Sequence, residues 1–365
     1  MTEDYSGNMK ILHLCISAFY IDNYSYQENM LVKYHAQMGY DVTVIASLVS
    51  FDKNGKYCYL DGPSEYVDAN GVKVIRLDYK HPLAIANRVL RRYQDFYKTL
   101  EKVSPDIIFT HNISAVDMSK VSRYLRKHPK VRLFGDNHAD YINSGRNFLS
   151  MQVLHKIIWR HYAKQLEPYL EKCYGVTPMR CRFLKEVYKI DESIIEFLPM
   201  GIDDDSIPVD RAHVRSIVRQ KLQIPDSHFV VFTGGKIDRL KNTHVLVEAL
   251  RVINDSNLHL VVCGTLAPEM EEFGNRMKQD KNIHYLGWCD AKTVIECMLA
   301  ADLACFPGTH STLWEQSVGI GLPAIFKRWP EMDHVCVNGN CLFVKGDDVR
   351  ELANEIKGLV FSDKY

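Results

Sequence analysis

Short apolar runs alternate with segments of helical period along this chain. Residues 10–15 form an apolar run that predicts a strand. A polar, aromatic loop follows to Tyr26, then a helix from about Gln27 to Gln37, with Met30, Leu31 and Tyr34 at helical spacing and Gly39 as its stop. Further strands are predicted at 41–45, 72–77, 106–109 and 131–134, and a basic helical stretch at 82–102. Strand, helix, parallel strand is the signature of a doubly wound α/β sheet. Two of these strands run into polar clusters, Thr110-His111-Asn112 and Asp136-Asn137-His138-Ala139-Asp140. Ligands of open α/β sheets lie beyond the carboxyl ends of strands, so a site is expected there.

The pattern restarts in the second half. Residues 229–233 predict a strand ending in Gly234-Gly235, a helix follows over about 243–253, and strands are expected at 258–264, 284–287, 303–306, 324–326 and 341–344. The chain therefore reads as two domains, 1–198 and 199–365, each a Rossmann-like parallel sheet, with the joint in Phe197-Leu198-Pro199-Met200-Gly201-Ile202-Asp203. Two such lobes facing each other would bind a ligand in the cleft between them.

Composition narrows the function. The 45 basic and 45 acidic residues cancel, which argues against a general nucleic-acid binder. The sum hides an asymmetry: up to Glu196 there are 27 basic and 22 acidic residues, or +5, leaving −5 for the rest. A basic first half suits an anionic acceptor or membrane surface, although so small an imbalance also arises without function. No apolar run reaches the ~18–20 residues of a spanning helix. The acidic start, Met1-Thr2-Glu3-Asp4-Tyr5, does not read as a signal peptide. Ten cysteines with no CxxC pair read as thiols of a reducing cytosol. Asp203-Asp204-Asp205 sits in the joint rather than after a strand, and no metal constellation is expected; no GxGxxG follows the first strand, which argues against NAD.

Thr233-Gly234-Gly235-Lys236 with Lys241-Asn242, Pro199-Met200-Gly201-Ile202-Asp203, and Trp314 to Pro323 carry a resemblance to the retaining family 4 glycosyltransferases of GT-B fold. Thr233-Gly234-Gly235-Lys236 with Lys241-Asn242 resembles the family's diphosphate-gripping segment. Pro199-Met200-Gly201-Ile202-Asp203 resembles the interdomain turn, and Trp314 to Pro323 the donor-site helix that ends in Gly-x-Pro. Residues 282–287, Ala301-Asp302 and Phe306-Pro307 follow the family's spacing. The resemblance runs from Lys10 to about Leu359. It implies an α/β protein of GT-B fold that transfers sugar from a nucleotide sugar, UDP-linked by prevalence, without metal or other cofactor. The acceptor would be a glycan or a lipid-diphosphate-linked sugar in bacterial surface polysaccharide synthesis. The protein would be cytoplasmic or peripheral on the inner membrane face. Two other readings stay open: a nucleotide-sugar epimerase or hydrolase of the same fold, and a non-catalytic partner subunit.

The resemblance also implies site residues. His138, Lys236 and Lys241 would act in catalysis. Gly234, Gly235, Arg239, Gly264, Trp288, His310, Ser311, Thr312, Leu313, Glu315 and Gln316 would bind the donor. Tyr24, Tyr26, His111, Asp140 and Arg146 would face the acceptor, the tyrosines equally explained by packing within the lobe. A diphosphate leaving group gains charge as the C–O bond breaks, and fixed cations and backbone donors neutralise it. The helix expected to open near Ser311 would present N–H groups to phosphate.

Two departures stand out. Aligned on Gly321-Leu322-Pro323, the family's second glutamate falls at Gln316, with Glu315 beside it; eight positions earlier stands Gly308 rather than an acid. Gln316 is expected to contact ribose, Glu315 to brace the loop, and His310, Ser311 and Thr312 to replace the missing acid. The other departure is the tyrosine-rich first loop, where many relatives carry paired glycines. The basic stretch 82–102 is either a membrane-surface helix or an ordinary one. The sequence also ends at Tyr365, where relatives usually continue with a helix returning to the first lobe.

Overall fold

The computed structural model describes residues 9–360. Its contacts group into two units, Met1–Lys53 with Tyr57–Pro199, and Asn54–Lys56 with Met200–Tyr365.

The first unit starts with β1 (Lys10–Cys15), α1 (Gln27–Gln37) and β2 (Asp41–Ser47). A small antiparallel hairpin, β3 (Val49–Phe51) with β4 (Tyr57–Tyr59), precedes β5 (Ser64–Val67) and β6 (Lys73–Leu77). Then come α2 (Ala84–Val89), α3 (Phe96–Val103), β7 (Ile107–Thr110), α4 (Met118–Lys127) and β8 (Arg132–Asn137). A π-helical segment, Leu149–Trp159, runs into α5 (Arg160–Leu166), followed by β9 (Leu170–Gly175), α6 (Pro178–Phe183) and β10 (Ile195–Phe197). Eight strands form one sheet in the order β10-β9-β8-β7-β1-β2-β6-β5, parallel except for the β5 edge. Helices cover its faces, so central strands are buried throughout, and Leu12, Leu14, Ile45 and Ile108 are fully enclosed with Phe96, Leu100 and Phe183.

The 82–102 stretch is two helices rather than one. Arg91 and Asp95 take left-handed backbone, with φ of 53° and 51°. Between them Tyr93 is drawn inward: its hydroxyl donates to Ile16 O at 2.7 Å and its N–H to Asp117 Oδ2 at 2.8 Å. Burial of that ring outweighs helix continuity.

The second unit carries β11 (Phe229–Gly234), β12 (Leu258–Cys263), β13 (Ile283–Gly287), β14 (Leu303–Phe306), β15 (Ala324–Lys327) and β16 (Cys341–Val344). They form an all-parallel sheet in the order β13-β12-β11-β14-β15-β16. Its helices are α7 (Arg211–Lys221), α8 (Thr243–Ile253), α9 (Glu271–Met277), α10 (Ala291–Ala300), α11 (Leu313–Gly319) and α12 (Val349–Val360). Asp302 fastens α7 to the sheet: it accepts from Arg215 at 2.5 Å, from buried Arg219 at 2.7 Å and from the Val230 N–H at 2.7 Å. Strand order reverses beside β1 in the first sheet and beside β11 in the second. The carboxyl ends of β1, β7 and β8, and of β11 and β14, are thus the places where such sheets hold ligands.

Candidate functional site

In the second unit, β11 ends at Gly234-Gly235, and Gly235 has a φ of +99° that favours glycine. Its N–H donates to Cys263 O at 2.9 Å, so that amide is already committed within the sheet. Gly264 packs against it: a Cβ on Gly264 would lie 1.8 Å from the Gly235 carbonyl oxygen. Gly264→Ala is therefore expected to force apart the ends of β11 and β12 and to lower stability by ~1–3 kcal/mol, read as a lower urea midpoint. An unchanged midpoint would mean that these ends separate freely. The Leu313 side chain lies over both glycines of the pair, 3.2 Å and 3.7 Å from where their Cβ atoms would stand.

Beyond β11 the chain makes a tight turn. The Asp238 carboxylate accepts from the N–H groups of Leu240 and Lys241, at 3.0 Å and 3.1 Å, and fixes a single 3-10 turn at Arg239–Lys241. Lys236 and Arg239 project from it, the Lys236 side chain 70% exposed and 3.8 Å from Asp238. Lys241 turns the other way. Its Nζ donates to the carbonyls of Thr309 at 2.7 Å and His310 at 3.0 Å. Asn242 adds a second tie, from Nδ2 to Pro307 O and Gly346 O. Lys241 thus orders the loop that leads into α11.

This packing explains the missing acid at 308. A Cβ on Gly308 would stand 2.3 Å from the Lys241 carbonyl carbon and 2.4 Å from Leu240 O. The 240–241 backbone fills the space that a glutamate would need.

The helix predicted near Ser311 opens at Leu313; α11 has seven residues and no capping side chain. Glu315 and Gln316, in its first turn, are both buried. Glu315 Oε1 accepts from His310 Nε2 at 2.8 Å and from His334 Nε2 at 2.9 Å. Burial would raise its carboxyl, but the two imidazoles outweigh burial and hold it down at about 2. The Trp314 ring meets His310 edge-on at 5.2 Å and stacks on Phe326 at 4.4 Å, walling this cluster with apolar surface. Glu315 is thus the brace between two loops. Sequence reasoning missed His334, which lies 19 residues beyond Glu315 with no local pattern. Trp288, after β13, is 38% exposed.

In the first unit, the ends of β7 and β8 meet in a chain of buried groups. His35 Nδ1, His13 Nε2, His13 Nδ1 and His111 Nε2 pair successively at 2.9 Å, and His111 Nδ1 meets Asp136 Oδ2 at 2.9 Å. As a carboxylate Asp136 only accepts, so each neutral ring donates from Nδ1 and accepts at Nε2. His138 is 3.4 Å from Asp136 and 3.9 Å from Glu28 through its Nε2. Burial opposes charge on His138, but Asp136 and Glu28 overcome it and lift its pKa above the ordinary value. Burial also opposes charge on Asp136, yet His138 and His111 hold that carboxyl far below the usual range. His13 is driven the other way, well below an ordinary histidine, by burial first and then by His111 and His35. His111 and His138 thus share one carboxylate, a link invisible in the sequence because Asp136 reads there as one polar residue among several.

The remaining first-unit candidates are dispersed. The Asp140 carboxylate is taken up by Arg180 at 3.0 Å and by the N–H groups of Ile142 and Asn143. Arg146 is exposed. Tyr24 stacks on Phe51 at 5.4 Å and contacts Tyr26 at 5.3 Å, an aromatic group that also includes Tyr57.

Residues 214–363 match the family model described as glycosyl transferases group 1. A search of curated proteins finds no match. Among solved structures, a glycosyltransferase from Rickettsia africae superposes with a TM-score of 0.67 at 18% identity, covering 98% of this chain and 89% of that one. HepE from Anabaena, solved in complex with UDP-glucose, gives 0.66 at 16% identity, with 97% and 90% covered. WaaG, a glycosyltransferase involved in lipopolysaccharide biosynthesis, gives 0.59 at 19% identity, with 96% and 90% covered. At these identities the structures establish the fold, and the family match is confined to residues 214–363, within the second unit. The chain thus has the GT-B fold of these glycosyltransferase structures, and its residues 214–363 resemble the group 1 glycosyl transferases.

Proposed function

We propose that the protein transfers a sugar, with retention at the anomeric carbon, from a nucleoside-diphosphate sugar, UDP-linked by preference. The acceptor is a glycan or lipid-diphosphate-linked sugar of a bacterial surface polysaccharide. The observation that carries the proposal is the turn after β11, whose Lys236 and Arg239 are exposed while Lys241 ties it to the loop before α11. It stands at the strand-order reversal of the unit that matches the family. As the glycosidic C–O bond breaks, its electron pair and the growing charge pass to the diphosphate. Lys236 and Arg239 stabilise that charge, Lys241 holds the loop and adds its own positive charge, and Gln316 contacts ribose. On the same face, a donor phosphate oxygen takes the acceptor proton while the acceptor oxygen bonds to the anomeric carbon. No protein nucleophile is needed, so the absence of an acid at Gly308 is compatible with catalysis. His138, its charge supported by Asp136 and Glu28, hydrogen-bonds the donor sugar or the leaving phosphate.

A cytoplasmic enzyme with peripheral membrane contact fits this acceptor. Leu83, Ile85 and Val89, in and beside α2, are 75%, 80% and 59% exposed. Among the described residues no helix is long and apolar enough to cross a membrane.

A thermal-shift panel of UDP-, GDP-, ADP- and TDP-sugars tests the reading. The expected result is a raised Tm with one base and release of its diphosphate only when acceptor is present. Release without acceptor would favour an epimerase or hydrolase. No shift with any donor would favour a non-catalytic subunit.

A further inference from the structure

We infer that His310, Glu315 and His334 form a binding site for one divalent transition-metal ion of the zinc class. This goes beyond the donor reading and does not depend on it, since the site lies within three segments of the second unit: the loop after β14, the first turn of α11 and the loop after β15.

One ligand atom from each residue lies within 4.8 Å of the other two. Glu315 Oε1 is 2.8 Å from His310 Nε2 and 2.9 Å from His334 Nε2. Around a zinc ion, bonds of about 2.0–2.2 Å put neighbouring ligand atoms roughly 3 Å apart. The carboxylate is therefore already at ligand spacing from both rings, and a small approach of the two imidazoles closes the site. All three side chains are 4% exposed, and Trp314 fixes the His310 ring from the side.

Hydrogen bonding alone leaves this carboxylate poorly served. Both rings address the same oxygen, and Glu315 Oε2 is buried with no hydrogen-bond partner among the described residues. Nearby Ser311 Oγ is likewise buried without one. An unsatisfied buried acceptor is costly, more so when charged. A cation on the same centre neutralises the carboxylate and engages either oxygen. Two imidazoles and one carboxylate select zinc-like metals over magnesium or calcium, which prefer all-oxygen sites. Three protein ligands leave a fourth position for water or an anionic oxygen. Binding at Nε2 moves each neutral ring's proton to Nδ1, so no net proton is lost.

The test is a zinc titration of chelator-stripped full-length protein, followed by calorimetry and metal analysis after desalting. The expected result is one zinc retained per chain, a Tm raised by several degrees, and the visible absorption of a tetrahedral site when cobalt replaces zinc. His334→Ala and Glu315→Gln should each weaken binding at least ~100-fold, more than removal of an outer-shell partner does. His259→Asn serves as control, because His228, His259 and His284 form a second row of contacting rings at 2.9 Å and 3.1 Å. Absence of stoichiometric zinc, zinc that survives both site variants, or zinc lost only with His259→Asn overturns the inference. Should either site variant fail to fold, the cobalt spectrum of the unaltered protein decides: a tetrahedral histidine–carboxylate spectrum supports the site, and its absence refutes it.

Discussion

Lys241→Ala is expected to reduce the transfer rate by ~10²–10³, the usual loss when one fixed donor to a developing negative charge is removed. The effect has two sources that measurement separates. The ammonium holds the carbonyls of Thr309 and His310, and so positions the loop ahead of Glu315 and Gln316. Its positive charge is proposed to act on the donor diphosphate. Lys241→Arg keeps the charge but not the compact three-donor geometry, since guanidinium is a planar fork. Donor binding should therefore survive better in the arginine variant, while kcat falls in both. Equal loss of stability and unchanged kcat in the alanine variant would reduce Lys241 to a structural tie.

Acid is expected to unfold the first unit well above the range where carboxylates titrate. His13 is fully buried, and its pKa lies well below the ordinary histidine value because of burial, His111 and His35. His155, buried against Tyr188 and near Arg91, is lowered to about 4, chiefly by burial. The unfolded chain binds these protons near the ordinary value of ~6.5, so it holds more protons than the fold below that pH. Stability therefore falls as pH drops through ~6.5, by up to ~1.4 kcal/mol per pH unit from His13. His155 adds a slope of the same sign, which ends at about pH 4. His138 acts oppositely: its raised pKa stabilises the fold at low pH, and that contribution is lost as pH rises through the folded value. Glu315, held at about 2, adds stability that is lost only between ~4.5 and 2. Urea midpoints at pH 7, 6 and 5 read the slope. His13→Asn should flatten it, and an unchanged slope would mean that the His13 proton is not the one taken up.

The sheet strands were largely legible because they are buried on both faces and leave unbroken apolar runs. Gln27–Gln37, Thr243–Ile253, Leu303–Phe306 and Cys341–Val344 fall where the pattern places them. What escaped has a physical reason. β9 reads Leu-Glu-Lys-Cys-Tyr-Gly, too polar to stand out, yet it pairs with β8 and β10. The Leu149–Trp159 helix is of π type, so its period departs from the 3.6 that marks an α-helix. The 82–102 stretch carries helical periodicity that the burial of Tyr93 interrupts. Among the candidate site residues, the glycines at 234, 235 and 264 and the lysines are visible by type and order. The shared carboxylates were not: Asp136 gathers His111 and His138, and Glu315 gathers His310 and His334, across sequence gaps that only the folded sheets close.

The cationic turn after β11 is proposed to grip the donor's diphosphate. The most direct measurement is the Kd of the stabilising nucleoside diphosphate, and of the matching nucleoside, for the unaltered protein and for Lys236→Ala. At least ~10-fold weaker diphosphate binding is expected in the variant, about 1.4 kcal/mol, with nucleoside affinity unchanged. Equal diphosphate affinity in both proteins would contradict it.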